Sequence, residues 1–296
     1  MKQTRLTRIS TVAIAALFGV AYTAGASVLY LMDDLGNNGT LHNGPTLSTD
    51  VPSISGADYA GNHSMHFAGA NPESVTDPHI RIVDTSAGDA ANTLDLSLTD
   101  FTIQAWIKPT GERNMTLFQD AGVRNFNGHS IGMRYVPDTS DSDGTAYAES
   151  LRFTIQTGNN QPINLFTGSG SVPRDAWTHV AASVDRASGS AQIYLNGSAV
   201  SAHNDNSGNT LGATDPAHDN NPGENMVQSV GAEFWGAGIN TTQGWIGNVD
   251  EFRISLSTLS AAQIAQSANQ SLVPEPGTFA LLALGGGLLA FRRRIR

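Results

Sequence analysis

Between residues 101 and 196 apolar and polar side chains alternate with a period of two. Phe101, Ile103, Ala105 and Ile107 interleave with Thr102, Gln104, Trp106 and Lys108, and Leu151, Phe153 and Ile155 with Arg152, Thr154 and Gln156. Thr178, Val180, Ala182 and Val184 interleave with Trp177, His179, Ala181 and Ser183, and Ile193 and Leu195 with Gln192, Tyr194 and Asn196. Successive side chains of a strand point to opposite faces, so each run is a strand with one face in a core. Asn196-Gly197 is the preferred two-residue hairpin turn, and Asp185 to Ser190 (DRASGS) makes another short turn. Many short strands separated by turn chemistry predict an all-β antiparallel sandwich. Away from the chain ends one helix is expected, Ser260 to Ser267 (SAAQIAQS), with Ser260 as N-cap and Gln263 completing a capping box.

The two ends stand apart from this pattern. Lys2, Arg5 and Arg8 precede a small, apolar stretch from Thr11 to Ala24, and Ala24-Gly25-Ala26 is a small-residue cleavage site, so residues 1–26 are expected to be a signal peptide. At the other end, residues 273–296 read VPEPGTFALLALGGGLLAFRRRIR. Pro274, Glu275 and Pro276 break the chain. An uncharged run of 15 residues from Gly277 to Phe291 follows, then Arg292, Arg293, Arg294 and Arg296. Arginines resist crossing a membrane and fix this end inside. The plug is shorter than the roughly 17–25 residues of a stable span. This tail resembles the PEP-CTERM sorting signal of Gram-negative bacteria. The resemblance implies recognition of Pro-Glu-Pro by an exosortase-type enzyme, transient anchoring in the inner membrane by the hydrophobic helix, and release to the cell surface or extracellular matrix. An ordinary single-pass tail anchor is the alternative.

Residues 27–271 remain, a length suited to one large β domain. Setting the two ends aside leaves nine Lys and Arg against 25 Asp and Glu, a formal charge of −16. Such a body is not built to bind nucleic acid or an anionic membrane, while it suits divalent cations. With no cysteine in the chain, thiol chemistry and disulfides are excluded and stability must come from burial, with or without a metal.

The strand runs also carry a resemblance. FTIQAWIKP (101–109), WTHVAASVDRASGSAQIYLNGSAV (177–200) and GWIGNVDEFRISLSTLSAAQIA (244–265) resemble three ordered blocks of the laminin-G-like family, within the concanavalin A-like lectin/glucanase jelly rolls. VLYLMDDLGNNGTLHNG (28–44) and GNHSMHFAG (61–69) are similar to its opening strands. The chain departs from the family pattern at Thr178, Asn196 and Gln263. The resemblance implies an antiparallel jelly-roll sandwich. It does not fix a function, because the fold hosts lectins, hydrolases and inert adhesive modules.

Several site candidates follow. Asp33, Asp34, Asn37 and Asn38 lie in a glycine-containing loop, and hard oxygen ligands of this kind suit Ca²⁺. The family resemblance implies a structural Ca²⁺ held by Asp34, Asn38 and Asp250, the last in the final strand. The alternative is a loop whose Asx side chains cap backbone groups. PDTSDSDGTAYAE (137–149) fails as an EF-hand, since Thr139 and Ser150 would occupy the end-ligand positions, and it reads instead as a solvated acidic loop. Residues 205–225 form a long polar insertion expected at the rim. Laminarinase-type relatives use an E-x-D-x-x-E strand, which the chain lacks. Asp250 and Glu251 are neighbours on a strand and therefore on opposite faces, and Glu233, before Phe234-Trp235, has no partner at catalytic spacing. His63 and His66 do not share a face, so no zinc site is expected there.

A glycan-binding face is the remaining candidate. Gln104, Trp106, Arg152, Trp177, Gln192 and Tyr194 lie opposite the core-facing positions, and amides with flat aromatic rings are the complement of sugar hydroxyls and sugar faces. The alternative is that the tryptophans are structural. The expectation is therefore an exported, exosortase-sorted surface or matrix protein that binds glycan or exopolysaccharide without catalysis. A matrix component with no ligand and an atypical polysaccharide hydrolase are the competing readings.

Overall fold

The computed structural model describes residues 27–30, 40–55, 62–69, 77–84, 96, 99–122, 131–140, 146–156, 162–204, 211, 226–235 and 240–271. In chain order the strands are β1 (Ser27–Tyr30), β2 (Thr40–His42), β3 (Thr46–Ser48), β4 (Ser64–Ala68), β5 (His79–Asp84), β6 (Phe101–Pro109), β7 (Met115–Gly122), β8 (Ile131–Ser140) and β9 (Ala146–Gln156). They continue with β10 (Pro162–Phe166), β11 (Thr178–Asp185), β12 (Ser190–Leu195), β13 (Ser198–Ala199), β14 (His203–Asn204), β15 (Met226–Val230), β16 (Glu233–Trp235), β17 (Asn240–Thr242) and β18 (Ile246–Ser255). One helix, α1 (Ala261–Ser267), closes the described chain.

The strands form two eight-stranded antiparallel sheets packed as a jelly-roll sandwich. The first runs β13-β12-β11-β6-β18-β4-β3, with β1 also paired to β18. The second runs β14-β10-β9-β8-β7-β15-β5-β2, and β16 and β17 form a separate ribbon. Phe101 and Phe252 of the first sheet meet Phe153 and Phe118 of the second at ring separations of 6.5 and 5.6 Å. Trp245 and Tyr135 meet edge to face at 6.5 Å, and all six rings are fully buried. Each such side chain contributes about 1.5–3 kcal/mol by leaving water, which is where a chain without disulfides finds its stability.

Local chemistry sets the turns as the sequence indicates. Asn196 and Gly197 take φ of 49° and 79°, the pair of positive values a type I′ turn requires, between β12 and β13. Ser260 caps α1, accepting the N–H of Gln263 while the Gln263 side chain accepts the N–H of Ser260. At Gly247 φ is 129°, and a Cβ there would collide with the Lys108 carbonyl of the neighbouring strand, so the close approach of β18 to β6 demands glycine.

Two features extend beyond simple alternation. The outer face of the first sheet is roofed: Ala181 and Tyr194 pack under Leu259 and Ile264 of the α1 region, forming a small second core. A strap at 49–55 lies on the same side. Its Asp50 bonds Lys108 and Trp177, and its Ser55 pairs with Gln270 beyond α1. In β18 a bulge falls between Asp250 and Arg253, with Glu251 at φ 46°.

Candidate functional site

Four of the six side chains expected to face sugar lie on the first sheet and Trp177 directly precedes its strand β11, and the roof changes what they can do. Gln104 is 1% exposed, between Ala181 of β11 and Arg253 of β18. Tyr194 is buried beneath α1. Gln192 is half-buried and its amide donates to the carbonyls of Ile193 and Val200. Trp106 is half-buried, edge-on to His179 at 5.6 Å. The Trp177 indole donates to Asp50 Oδ1 at 2.9 Å, and Lys108 Nζ lies 2.7 Å from Asp50 Oδ2. Burial acts upward on the Asp50 carboxyl, but those two hydrogen bonds, with the nearby Lys108 and His66 charges, outweigh it and hold the pKa below its ordinary value. The expectation of an open sheet face is thus corrected for Gln104 and Tyr194. Alternation distinguishes the two faces of a strand, but a face under a helix and a face under water carry the same pattern.

Arg152 is the exception, because β9 belongs to the second sheet. There the strand registers bring together a set that sequence reading missed. One row crosses six strands, from Arg81 through Ser229, Gln119, Gly132 and Thr154 to Asn164. At the usual strand spacing it spans about 24 Å. The next row runs from Thr116 through Arg134, Arg152 and Phe166 to His203. These residues lie opposite the core, which takes Phe118, Met133, Tyr135, Leu151 and Phe153 from the same strands, but Gln119, Thr154, Asn164, Arg134 and Phe166 are themselves buried, and Arg81, Arg152 and His203 are the members that reach solvent.

The face is held by hydrogen bonds. Arg134 Nη2 lies 2.8 Å from Glu233 Oε2, and Thr116 Oγ1 donates to the same oxygen at 3.5 Å. Burial lowers the Arg134 pKa and the Glu233 carboxylate pulls it back up. Asn164 Oδ1 accepts from Arg152 Nη2 at 2.8 Å, from Arg152 Nε at 3.3 Å and from Thr154 Oγ1 at 2.9 Å. The Arg152 guanidinium lies 5.4 Å over the Phe166 ring, which stacks on Tyr147 at 4.3 Å, and exposed His203 tilts against Tyr147 at 6.0 Å. Glu233, which the sequence left without a partner, is the counter-ion of Arg134; the two are 99 residues apart in the chain, so no spacing rule could link them.

For calcium, the described residues supply little. Asp250 is 2% exposed and its Oδ1 accepts the Glu251 N–H at 2.7 Å. The bulge at Glu251 also interrupts the strict alternation expected of this acidic neighbour pair. Asp34 and Asn38 lie outside the described residues, among which no three His, Asp or Glu side chains converge to hold a metal. Asp250 alone does not fit the six to eight oxygens that Ca²⁺ takes. The 205–225 insertion, apart from Leu211, also lies outside the described residues, as do Pro274, Glu275, Pro276, Arg292, Arg293 and Arg294. Among the described residues no helix is long and apolar enough to cross a membrane.

Residues 84–265 match the family model for the concanavalin A-like lectin/glucanases superfamily, in its Laminin_G_3 branch. Residues 272–296 match the PEP-CTERM protein-sorting motif, the mark of an exported protein. No protein of curated function matches the chain. Among solved structures, the binding domain of botulinum neurotoxin DC, in complex with rat synaptotagmin II, is similar with a TM-score of 0.50 at 13% identity, over 82% of this chain and 51% of that one. Domain 4 of AbnA, an extracellular GH43 arabinanase from Geobacillus stearothermophilus in complex with arabinotriose, has a TM-score of 0.46 at 19% identity, covering 82% of this chain and 97% of that one. The CBM40 of the Ruminococcus gnavus IT-sialidase, bound to α2,3 sialyllactose, has a TM-score of 0.43 at 13% identity, covering 58% and 84%. At these identities the likeness is one of fold alone.

Proposed function

The chain belongs to the concanavalin A-like lectin/glucanase superfamily, and we propose that it is an exported, non-catalytic glycan-binding protein of the cell surface or extracellular matrix. The observation that carries this reading is the outer face of the second sheet. Its half-buried Arg152 and exposed His203 lie beside the stacked Phe166 and Tyr147 rings at one edge, away from the core. Sugar hydroxyls need such donors and acceptors, and the sheet holds them in fixed register. Against turnover, Glu233 is committed to Arg134, and the E-x-D-x-x-E strand of related hydrolases is absent from the sequence.

A glycan array probed with the protein is expected to give binding without turnover. Replacing the half-buried Arg152 (Arg152→Ala) is expected to weaken it by about 5- to 30-fold, the worth of one or two hydrogen bonds. Gln192→Ala on the other sheet should leave it unchanged. Absence of binding to every glycan would favour the ligand-free matrix component. Hydrolysis that disappears when one carboxylate is replaced would revive the hydrolase reading.

Export is proposed to follow the route that the tail implies. An exosortase-type enzyme recognises Pro274-Glu275-Pro276 and releases the chain from transient inner-membrane anchoring. Glu275→Ala is expected to hold the protein in the inner membrane. Mass spectrometry finding Arg296 intact on surface-located protein would refute this.

Calcium remains a proposal with one structural support. Tyr30, the last residue of β1, is in register with Phe252, two residues from Asp250, and Asp34 follows Tyr30 by four positions in the sequence. Bound Ca²⁺ is expected to raise the melting temperature, by about 2.7 kcal/mol of stability at 100 times its dissociation constant. Asp250→Ala should abolish the increment. Identical melts in chelator and in millimolar Ca²⁺ would exclude the site.

A further inference from the structure

Among the described residues the dipeptide Asn-Gly occurs twice, and the backbone is alike in both places. Asn43 and Gly44 take φ of 59° and 77°, while Asn196 and Gly197 take 49° and 79°. The dipeptide suits such turns, and it is also the one most open to deamidation, because glycine carries no Cβ to shield its own nitrogen. The glycine nitrogen attacks the side-chain carbonyl carbon of the asparagine. A C–N bond forms, and ammonia leaves with the proton that the nitrogen carried. Water then opens the cyclic imide at either carbonyl, giving aspartate or isoaspartate. Ring closure needs rotation of the asparagine backbone and side chain, so the rate follows how readily each turn opens.

The surroundings of the two turns differ. Asn196 is pinned to β11: its N–H donates to the His179 carbonyl at 2.8 Å, and its Oδ1 accepts the His179 N–H at 3.0 Å. Gly197 is buried against α1, where a Cβ would come within 2.8 Å of the Ala265 Cα. Asn43 is held by one long hydrogen bond, from Nδ2 to the Asp77 carbonyl at 3.4 Å. Gly44 is exposed, and a Cβ there would meet nothing within 4 Å. Both asparagines are exposed, so the pins and the burial of the reacting glycine are what separate them. We propose that Asn43 is a modification site, a turn at which the folded protein deamidates spontaneously, while the fold protects the same dipeptide at Asn196. The product carries a carboxylate where an amide donated to Asp77. As isoaspartate it also lengthens, by one methylene, the connection that passes from β2 of the second sheet to β3 of the first. The change needs no enzyme, so it accumulates with the age of the exported protein.

The test incubates the protein, folded and in denaturant, in the same mildly alkaline buffer. Peptide mass spectrometry, with fragmentation to assign the position, follows the mass gain that marks each converted asparagine. In the folded protein Asn43 is expected to convert at least about tenfold faster than Asn196, the worth of the two hydrogen bonds that must open at the pinned turn. In denaturant only the local sequence acts, and the two sites are expected to convert at similar rates. Asn43→Gln keeps the amide but enlarges the ring that must close, so the gain at that position should disappear. A folded-state ratio below about tenfold would overturn the proposal, whichever site leads. So would a ratio as large in denaturant as in the folded protein, which would place the difference in the flanking sequence. Failure of Asn43 to convert in the folded protein, over a period in which the denatured chain does, would overturn it as well.

Discussion

Arg134→Met is expected to destabilise the protein by about 3–5 kcal/mol, because it leaves the Glu233 carboxylate buried without its guanidinium. Glu233 is 0% exposed and Arg134 6%, so neither charge can turn to water without opening the sheet face. The attraction in the intact pair largely offsets the cost of drying two ions, and the cost reappears when one partner goes. The double variant Arg134→Met, Glu233→Leu should recover most of the loss, since it removes both ions and fills the space with apolar atoms. Chemical denaturation of the two single variants and the double variant reads the coupling directly. A single-variant loss below about 1 kcal/mol, the level of a surface ion pair, would show that the pair is not dry.

Stability should also fall steeply in mild acid through one imidazole. His179 is buried on β11, its Nδ1 has no hydrogen-bond partner, and burial lowers its pKa from 6.5 to about 3. In the unfolded chain the ring takes up its proton near pH 6.5, whereas the folded protein refuses it until about pH 3. Between those values the unfolded state binds the additional proton, so the contribution is complete above pH 6.5 and is lost as the pH drops toward 3. At pH 4 the loss is about 3 kcal/mol. Carboxylates titrate in the lower part of this window, so the comparison is with His179→Gln, whose stability between pH 6.5 and 5 should be nearly flat while the parent declines. Parallel curves for the two proteins would mean that water reaches the ring.

What could be read from the chain alone was what depends on neighbours in sequence. The type I′ turn at Asn196-Gly197 and the capping box at Ser260 and Gln263 are local chemistry, and both form as expected. The strands Phe101–Pro109, Thr178–Asp185 and Ser190–Leu195 were legible because their core faces are uniformly apolar. Much of the second sheet was not. Met115–Gly122 and Ile131–Ser140 mix Gln119, Gly132, Arg134 and Pro137 into their runs, because polar side chains are buried on their face opposite the core. The segment 137–149 read as an acidic loop, yet Asp138 pairs with Ala148 and Thr139 with Tyr147 as β8 and β9 extend into it. The candidate site lies on this less legible sheet. Its members come from strands as distant as β5 and β15, and only folding sets Arg134 beside Glu233 or Arg152 beside Asn164.

The last strand of the chain occupies the interior of its sheet. β18 lies between β6 and β4 and also receives β1, the first strand, while Ser271 donates its N–H to the Ser55 carbonyl. A chain threaded outward from its N-terminus therefore carries two unsatisfied strand edges, on β6 and on β4, until residues 246–255 have emerged. Closure depends on contacts more than 200 residues apart, between Ser27–Tyr30 and Phe252–Ser255, which makes it slow and late. The sheet is sealed by the segment that leads into the sorting motif at 272–296, so a chain that ends or stalls any earlier presents bare edges to its neighbours.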